Sequence, residues 1–88
     1  MKERELERVL KALANKRRLA IISFLRKRQE ANVGDIAEAI YLSVKSTSRH
    51  LAVLSGADIL DREQRSSEVF YKIDVSISEL FLPLIKSL

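Results

Sequence analysis

Cysteine and tryptophan are absent from this chain, which has one proline, two glycines and one histidine. Without cysteine there is neither a disulfide nor thiolate chemistry. So few helix breakers, beside 47% hydrophobic residues, exclude a disordered chain. No apolar run approaches the roughly 20 residues of a spanning helix. Met1-Lys2-Glu3-Arg4-Glu5 is charged where a secretory signal would be apolar, so no membrane partner is expected and the expected compartment is cytoplasmic. One histidine and no spacing that pairs a nucleophile with a base leave no motif for an enzyme. No repeat, linker or low-complexity tract divides the 88 residues, which suffice for one core, so residues 1–88 are expected to form a single domain.

What is present is positive charge and helical periodicity. The formal charge is +4, and it is clustered: Lys16, Arg17, Arg18, Arg26, Lys27 and Arg28 fall between positions 16 and 28 with no acid among them. A polyanion is the partner such clustering suits, because neutralising phosphates releases counterions. The plainer alternative is a solvated face that keeps the chain soluble. At the start of the second helix these cations oppose the helix dipole, although pairing with Glu30 or Glu38 would account for some of Arg17, Arg18, Arg26 and Arg28.

Periodicity predicts a first helix over residues 3–13, with Leu6, Val9, Leu10 and Leu13 on one stripe. Asn15 can cap a second helix to about residue 28, whose Leu19, Ile21, Ile22 and Leu25 turn inward. Asn32 can cap a third, to about Ile40, with Asp35 in its first turn and Ile36, Ala37 and Ile40 buried. Tyr41-Leu42 leaves only a tight turn before Ser43, a good cap for a fourth helix that Gly56 would end in a left-handed conformation. On that helix Val44, Thr47, Leu51 and Leu54 repeat on the core side, leaving Lys45, Ser46, Ser48, Arg49 and Ala52 outward. Two short helices so joined make a helix-turn-helix at about residues 33–55.

Beyond it, Asp58 to Gln64 and Glu68 to Ile73 alternate like two strands around the turn Arg65-Ser66-Ser67, forming a wing at about residues 58–73. Ser76-x-x-Glu79 has the pattern of a capping box and opens a last helix at about residues 76–88, in which Pro83 predicts a kink or a late start. The expected fold is mainly α with a small β-hairpin, a winged helix-turn-helix of order α-α-α-α-β-β-α. Ile77, Leu80, Phe81, Leu84 and Ile85 make an apolar face too broad for so small a core, and with Leu6 and Leu10 they are the expected homodimer interface. The alternative is a last helix lying wholly on its own domain.

Leu10-Lys11-Ala12-Leu13-Ala14-Asn15-Lys16-Arg17-Arg18-Leu19-Ala20-Ile21-Ile22, Val33-Gly34-Asp35-Ile36-Ala37-Glu38-Ala39-Ile40, Leu42-Ser43 to Leu54, and the closing strand Val69-Phe70-Tyr71-Lys72-Ile73 stand in one register. Together they resemble the ArsR-like (arsenic-repressor-type) winged-helix repressors of prokaryotes, over about residues 6–75. The resemblance implies a dimer that binds a pseudo-palindromic operator on double-stranded DNA and blocks transcription until a signal releases it. Two departures matter. Many members carry a metal box Glu-Leu-Cys-x-Cys-Asp-Leu where this chain has Glu30-Ala31-Asn32-Val33-Gly34-Asp35-Ile36, and a last-helix Asp-x-His site is here Asp74-Val75-Ser76. Zinc-like metals favour Cys and His, so Asp74 with Glu79 is a poor site, and neither metal nor cofactor is expected. In the turn, Tyr41-Leu42 replaces the family's common Gly-Leu.

With the fourth helix in a major groove, Lys45, Ser46 and Arg49 are the candidates to read base edges, and Ser43 and Ser48 to meet phosphates, the cap being the favoured reading of Ser43. Thr47 is either a phosphate donor or a core residue. His50 lies on the flank of the helix, where a hydrogen-bonded packing role and a phosphate contact both stand open. On the wing, Arg62, Arg65, Ser66 and Ser67 can approach the minor groove or backbone, with the arginines mainly positioning. The expected function is thus a homodimeric, sequence-specific DNA-binding regulator, with repression favoured over activation. The alternatives are a winged-helix protein-interaction module and a non-specific nucleic-acid-binding protein.

Overall fold

Capping decides where the helices begin. In the computed structural model, which describes residues 1–88, Asn15, Asn32 and Ser43 each accept a first-turn backbone N–H, from Arg18 at 3.1 Å, Asp35 at 2.8 Å and Ser46 at 3.1 Å. They open α2 (Lys16–Arg28), α3 (Val33–Ala39) and α4 (Val44–Gly56). The preceding α1 (Glu3–Leu13) has no side-chain cap, but Glu3 and Glu5 in its first turn complement its dipole. Strands β1 (Ala31–Asn32), β2 (Leu60–Arg65) and β3 (Glu68–Ile73) and a last helix α5 (Val75–Lys86) complete the chain.

The strands form one antiparallel sheet in the order β1-β3-β2. In register, β2 runs from Leu60 opposite Ile73 to Arg65 opposite Glu68, and β1 sets Ala31 opposite Tyr71 and Asn32 opposite Phe70. Ile21, Ile22, Leu25, Ile36, Leu51, Leu54 and Ile59 are the most deeply buried core residues. Truncating one of them to Ala costs about 2–5 kcal/mol. Because α3 and α4 share this core with α2, the helix-turn-helix rests on apolar contact rather than on surface charge.

The structure corrects several expectations. Gly56 is the last helical residue of α4 and has no positive φ; the left-handed position falls at Asp58, φ 58°. Asp58 N–H donates to the Ser55 carbonyl and Ile59 N–H to the Leu54 carbonyl, the paired bonds of a Schellman motif, which moves the left-handed residue two places on. Val44 is 53% exposed rather than part of the core stripe. The last helix begins at Val75, because Asp74 accepts from Ser76 and Ile77 N–H, so Ser76 is not its cap. That helix continues through Pro83 to Lys86, with no late start. The first wing strand begins at Leu60 and takes in Arg65, so the turn shrinks to Ser66-Ser67, and the hairpin gains β1 as a third strand.

Tyr41 adopts φ 55° at the end of α3. Its N–H donates to Glu38 at 3.3 Å and that of Leu42 to Ala37 at 3.0 Å, a second Schellman pair in which tyrosine holds the backbone shape that glycine takes without strain. The turn of the helix-turn-helix therefore keeps its geometry despite the missing glycine.

Candidate nucleic-acid interface

The outer face of α4 is built by what lies beneath it. Thr47, Leu51 and Leu54 are wholly buried, which fixes the rotation of the helix and turns Lys45, Ser48 and Arg49 to solvent, with Ser46 half-buried. Neither Lys45 nor Arg49 takes part in the ion pairs of the chain, all of which lie elsewhere. Ser43, exposed at the helix start, spends its hydroxyl oxygen on the cap. Thr47 is a core residue whose hydroxyl has no partner, so it is not part of the outer face.

His50 is half-buried, and its Nδ1 lies 3.3 Å from Nη1 of Arg18. A guanidinium can only donate, so Nδ1 accepts and the ring proton sits on Nε2. Burial first, then the charges of Arg18 and Arg17, hold the imidazole below its ordinary pKa. The packing role is thus observed, and it leaves the Nε2–H as a donor.

Arginines bind α4 and its neighbours to the rest of the fold. Arg8 of α1 donates to the carbonyl of Gly56 at the end of α4, and Arg18 donates through Nε to Ala12 at the end of α1. Arg17 reaches the carbonyl of Ile40 at 3.4 Å. Arg28 pairs with Asp35 at 3.0 Å and lies over the ring of Phe24, 5.7 Å from its centroid. The alternative pairing of Arg17, Arg18, Arg26 or Arg28 with Glu30 or Glu38 does not occur; Glu30 is taken by Arg65 of the wing. The roles of Arg8 and Arg18 were not foreseen, since both bond to backbone carbonyls distant in sequence that no spacing rule marks.

At the wing, Ser66 and Ser67 form the exposed turn and Arg62 is exposed on β2. Arg65 is held from several sides. It donates to both oxygens of Glu30 at 2.7 and 2.8 Å and to Glu63, with its guanidinium 4.7 Å from the centroid of the Phe70 ring. Those hydrogen bonds lower the pKa of Glu30 and raise that of Arg65. At the base of the wing, burial and the neighbouring Asp74 carboxylate push Asp61 upward.

On another surface, α1 and α5 leave large apolar side chains uncovered. Leu6, Leu10, Leu80 and Leu84 are exposed, Leu84 by 65%, and Phe81 is half-buried, whereas Ile77 and Ile85 turn into the chain's own core. An apolar groove of about 320 Å³ opens here, lined among others by Leu10, Leu13, Leu19, Phe81, Leu84 and Leu88. The chain holds no cluster of three or more His, Cys, Asp or Glu side chains placed to hold a metal ion. None of its helices is long and apolar enough to cross a membrane.

Comparison with known proteins gives concordant results. Residues 15–62 match the model of the bacterial regulatory protein, arsR family. The transcriptional activator HlyU of Vibrio cholerae is 31% identical over 80 residues, spanning 91% of this chain and 73% of that protein. The transcriptional repressor SdpR of Bacillus subtilis is 29% identical over 69 residues, spanning 78% of this chain and 76% of that one. Among solved structures, a homodimeric winged helix-turn-helix DNA-binding domain from Mycobacterium bovis superposes with a TM-score of 0.85 at 28% identity, covering 96% of this chain and 78% of that one.

Proposed function

The chain belongs to the ArsR family of bacterial regulatory proteins and is a DNA-binding transcription regulator, and from that premise we propose that it is a homodimeric repressor of a pseudo-palindromic operator. The observation that carries this reading is the outer face of α4, where Lys45 and Arg49 stand exposed and unpaired above a fully buried stripe. With α4 in the major groove, Lys45, Ser46 and Arg49 face base edges, and Ser43, Ser48 and the Nε2–H of His50 face phosphates. Arg62, Ser66 and Ser67 lie along the flanking backbone, and Arg65 joins them only by loosening its hold on Glu30.

Dimerisation through α1 and α5 is supported by the uncovered leucines there and by the homodimeric state of the related Mycobacterium bovis domain. Leu6, Leu10, Leu80, Phe81 and Leu84 would meet their counterparts, while Ile77 and Ile85 support the interface from below. Repression needs no surface beyond the one that holds DNA, since occupancy of a promoter excludes the polymerase, and the relative SdpR is a repressor. The relative HlyU is an activator, so the sign of regulation is to be read by transcription from the bound promoter with and without the protein. Having no cysteine, the chain cannot be released from DNA by a thiolate-bound metal.

Selection of bound sequences from a random duplex pool at physiological salt tests the proposal. A two-fold motif with half-sites about 10 bp apart, centre to centre, is expected. Salt-sensitive binding without a motif would leave a non-specific nucleic-acid-binding protein, and no duplex binding at all would leave a protein-interaction module.

A further inference from the structure

Between α2 and the turn that joins α3 to α4 runs an open furrow of about 420 Å³, lined by Lys16, Arg17, Ser23, Phe24, Lys27 and Tyr41 among others. Its polar chemistry is one-sided: three cations, two aromatic rings and the hydroxyls of Ser23 and Tyr41, with no acid in the lining. Lys16, Ser23 and Lys27 follow one another at i, i+7 and i+11, so they share one face of α2. Neither lysine takes part in an ion pair, and the one hydrogen bond of Arg17 goes to the Ile40 carbonyl.

Apart from the Arg17 bond, nothing within the fold accounts for this set. Lys16 and Arg17 lie in the first turn of α2, where cations oppose the helix dipole. Tyr41 is 91% exposed, so its ring adds little to the core, and its left-handed backbone costs on the order of 1–2 kcal/mol relative to an unstrained residue. Position explains what stability does not. Tyr41 stands two residues before the Ser43 cap, and the Arg17 bond ties the start of α2 to the end of α3, so the furrow is continuous with the N-terminal end of α4.

We propose that this furrow is a second DNA-backbone site, which grips the phosphates flanking the half-site that α4 reads. The proposal rests on the reading of α4 as the recognition helix. Lys16 and Lys27 are separated by 11 positions, about 16 Å along the helix axis, long enough to meet more than one phosphate of a strand. The phenol of Tyr41 donates to a phosphate oxygen while its ring lies along a sugar. An open furrow with charges along its length suits a polyanion, and duplex DNA is the polyanion already brought to its rim by α4. The contacts carry no base information; they add affinity and salt dependence.

The test uses the full chain and two duplexes built on the sequence that pool selection returns. One ends flush with the outer edges of the half-sites, and the other continues for about one further turn on each side, roughly 10 bp. Binding is measured from 50 to 200 mM salt for the wild type, the double variant Lys16→Ala/Lys27→Ala and the charge-preserving Lys16→Arg/Lys27→Arg, with melting curves to verify folding. For the wild type the extended duplex should bind more tightly and with the steeper salt slope. The alanine variant should lose about 3–4 from that slope, two contacts from each protomer at about 0.9 each. Between the two salt concentrations this amounts to about a 10²-fold change in relative affinity. On the flush duplex it should match the wild type and keep the same base preference, and on the extended duplex the arginine variant should restore the wild-type slope.

Equal slopes for wild type and alanine variant on the extended duplex would overturn the proposal and leave the furrow to another partner, such as an acidic protein segment. Equal losses on both duplexes would overturn it as well, by placing these contacts inside the half-site. If the wild type binds no duplex, the reading of α4 itself fails, a result distinct from both.

Discussion

Arg49 extends from the exposed face of α4 with no ion pair, whereas Arg65, at the end of β2, donates to both oxygens of Glu30 and to Glu63 and lies over Phe70. The side chains are alike and their surroundings are not. A guanidinium with all its donors free can form a bidentate pair with guanine, while one whose fork is filled must first give up a partner. The supports differ too. The face of α4 is positioned by buried Thr47, Leu51 and Leu54, and the wing tip is braced by charges that remain partly exposed. Apolar support is not screened by salt, and ionic support is. Under the proposed function, base reading would fall to the firmly seated region and adjustable backbone contact to the tethered one.

The sharpest way to break this contrast is Arg49→Ala. It should cost about 1–3 kcal/mol at one or two base pairs of each half-site, seen as a flattened preference in competition binding. An equal loss on operator and random duplex would remove Arg49 from base reading. Next in size is Thr47→Val, which keeps the shape and removes a buried, unpaired hydroxyl. It should raise unfolding stability by about 1 kcal/mol in denaturant titration, since an unsatisfied buried polar group costs about 1–3 kcal/mol. A loss instead would mean that the hydroxyl has a partner in solution.

A smaller effect is expected from Arg65→Ala: a slight loss of duplex affinity, uniform across sequences and accompanied by a slightly lower salt slope. Acid separates the two regions more finely. The folded pKa of His50 lies below 6.5, so the unfolded chain binds the proton more readily. The stability tied to the neutral imidazole is complete above about pH 6.5 and falls as pH drops below it. Glu30 is likewise lowered, from 4.5, so the brace of the wing tip weakens only as pH falls below that value. Between pH 7 and 5 the wild type should lose a little stability and His50→Gln should lose less, while amide protection at Ser66 and Ser67, relative to the intrinsic exchange rate at each pH, stays unchanged until pH falls below about 4.5. Loosening of the wing at the higher pH would undo the distinction.

Local signals carried most of the architecture. Asn15, Asn32 and Ser43 are caps because a short polar side chain before an apolar-periodic run has that one job, and β3 occupies the residues its alternation predicts. The misreadings share a cause, which is competition between nearby residues of similar aptitude. Asp74 displaced Ser76 as a cap, and Asp58 took the left-handed place expected of Gly56. Strand β1, only two residues long, is too short for any period to register and exists because β3 offers Phe70 and Tyr71 as partners. Of the candidate interface, the outward set on α4 followed from periodicity, with Thr47 moved to the core. The pairing of Arg65 with Glu30, 35 residues apart, and the bonds of Arg8 and Arg18 to backbone carbonyls arise from the tertiary fold alone.

Four residues, Gln29, Tyr41, Asp58 and Ser66, have positive φ, and none of them is glycine; both glycines sit elsewhere with ordinary backbone. They close α2, α3, α4 and the wing turn, so the reversals that follow these helices and join the wing strands are made by residues that resist them. Glycine at Tyr41 or Ser66 would relieve about 1–2 kcal/mol of left-handed strain and cost about 0.5–1 kcal/mol in unfolded-chain entropy, a small net gain, whereas at Asp58 a residue tolerant of that region gains little. At Tyr41 the same change would remove a ring of the proposed DNA-backbone furrow in exchange for backbone ease, so a gain in melting temperature and a loss in DNA binding could be read separately.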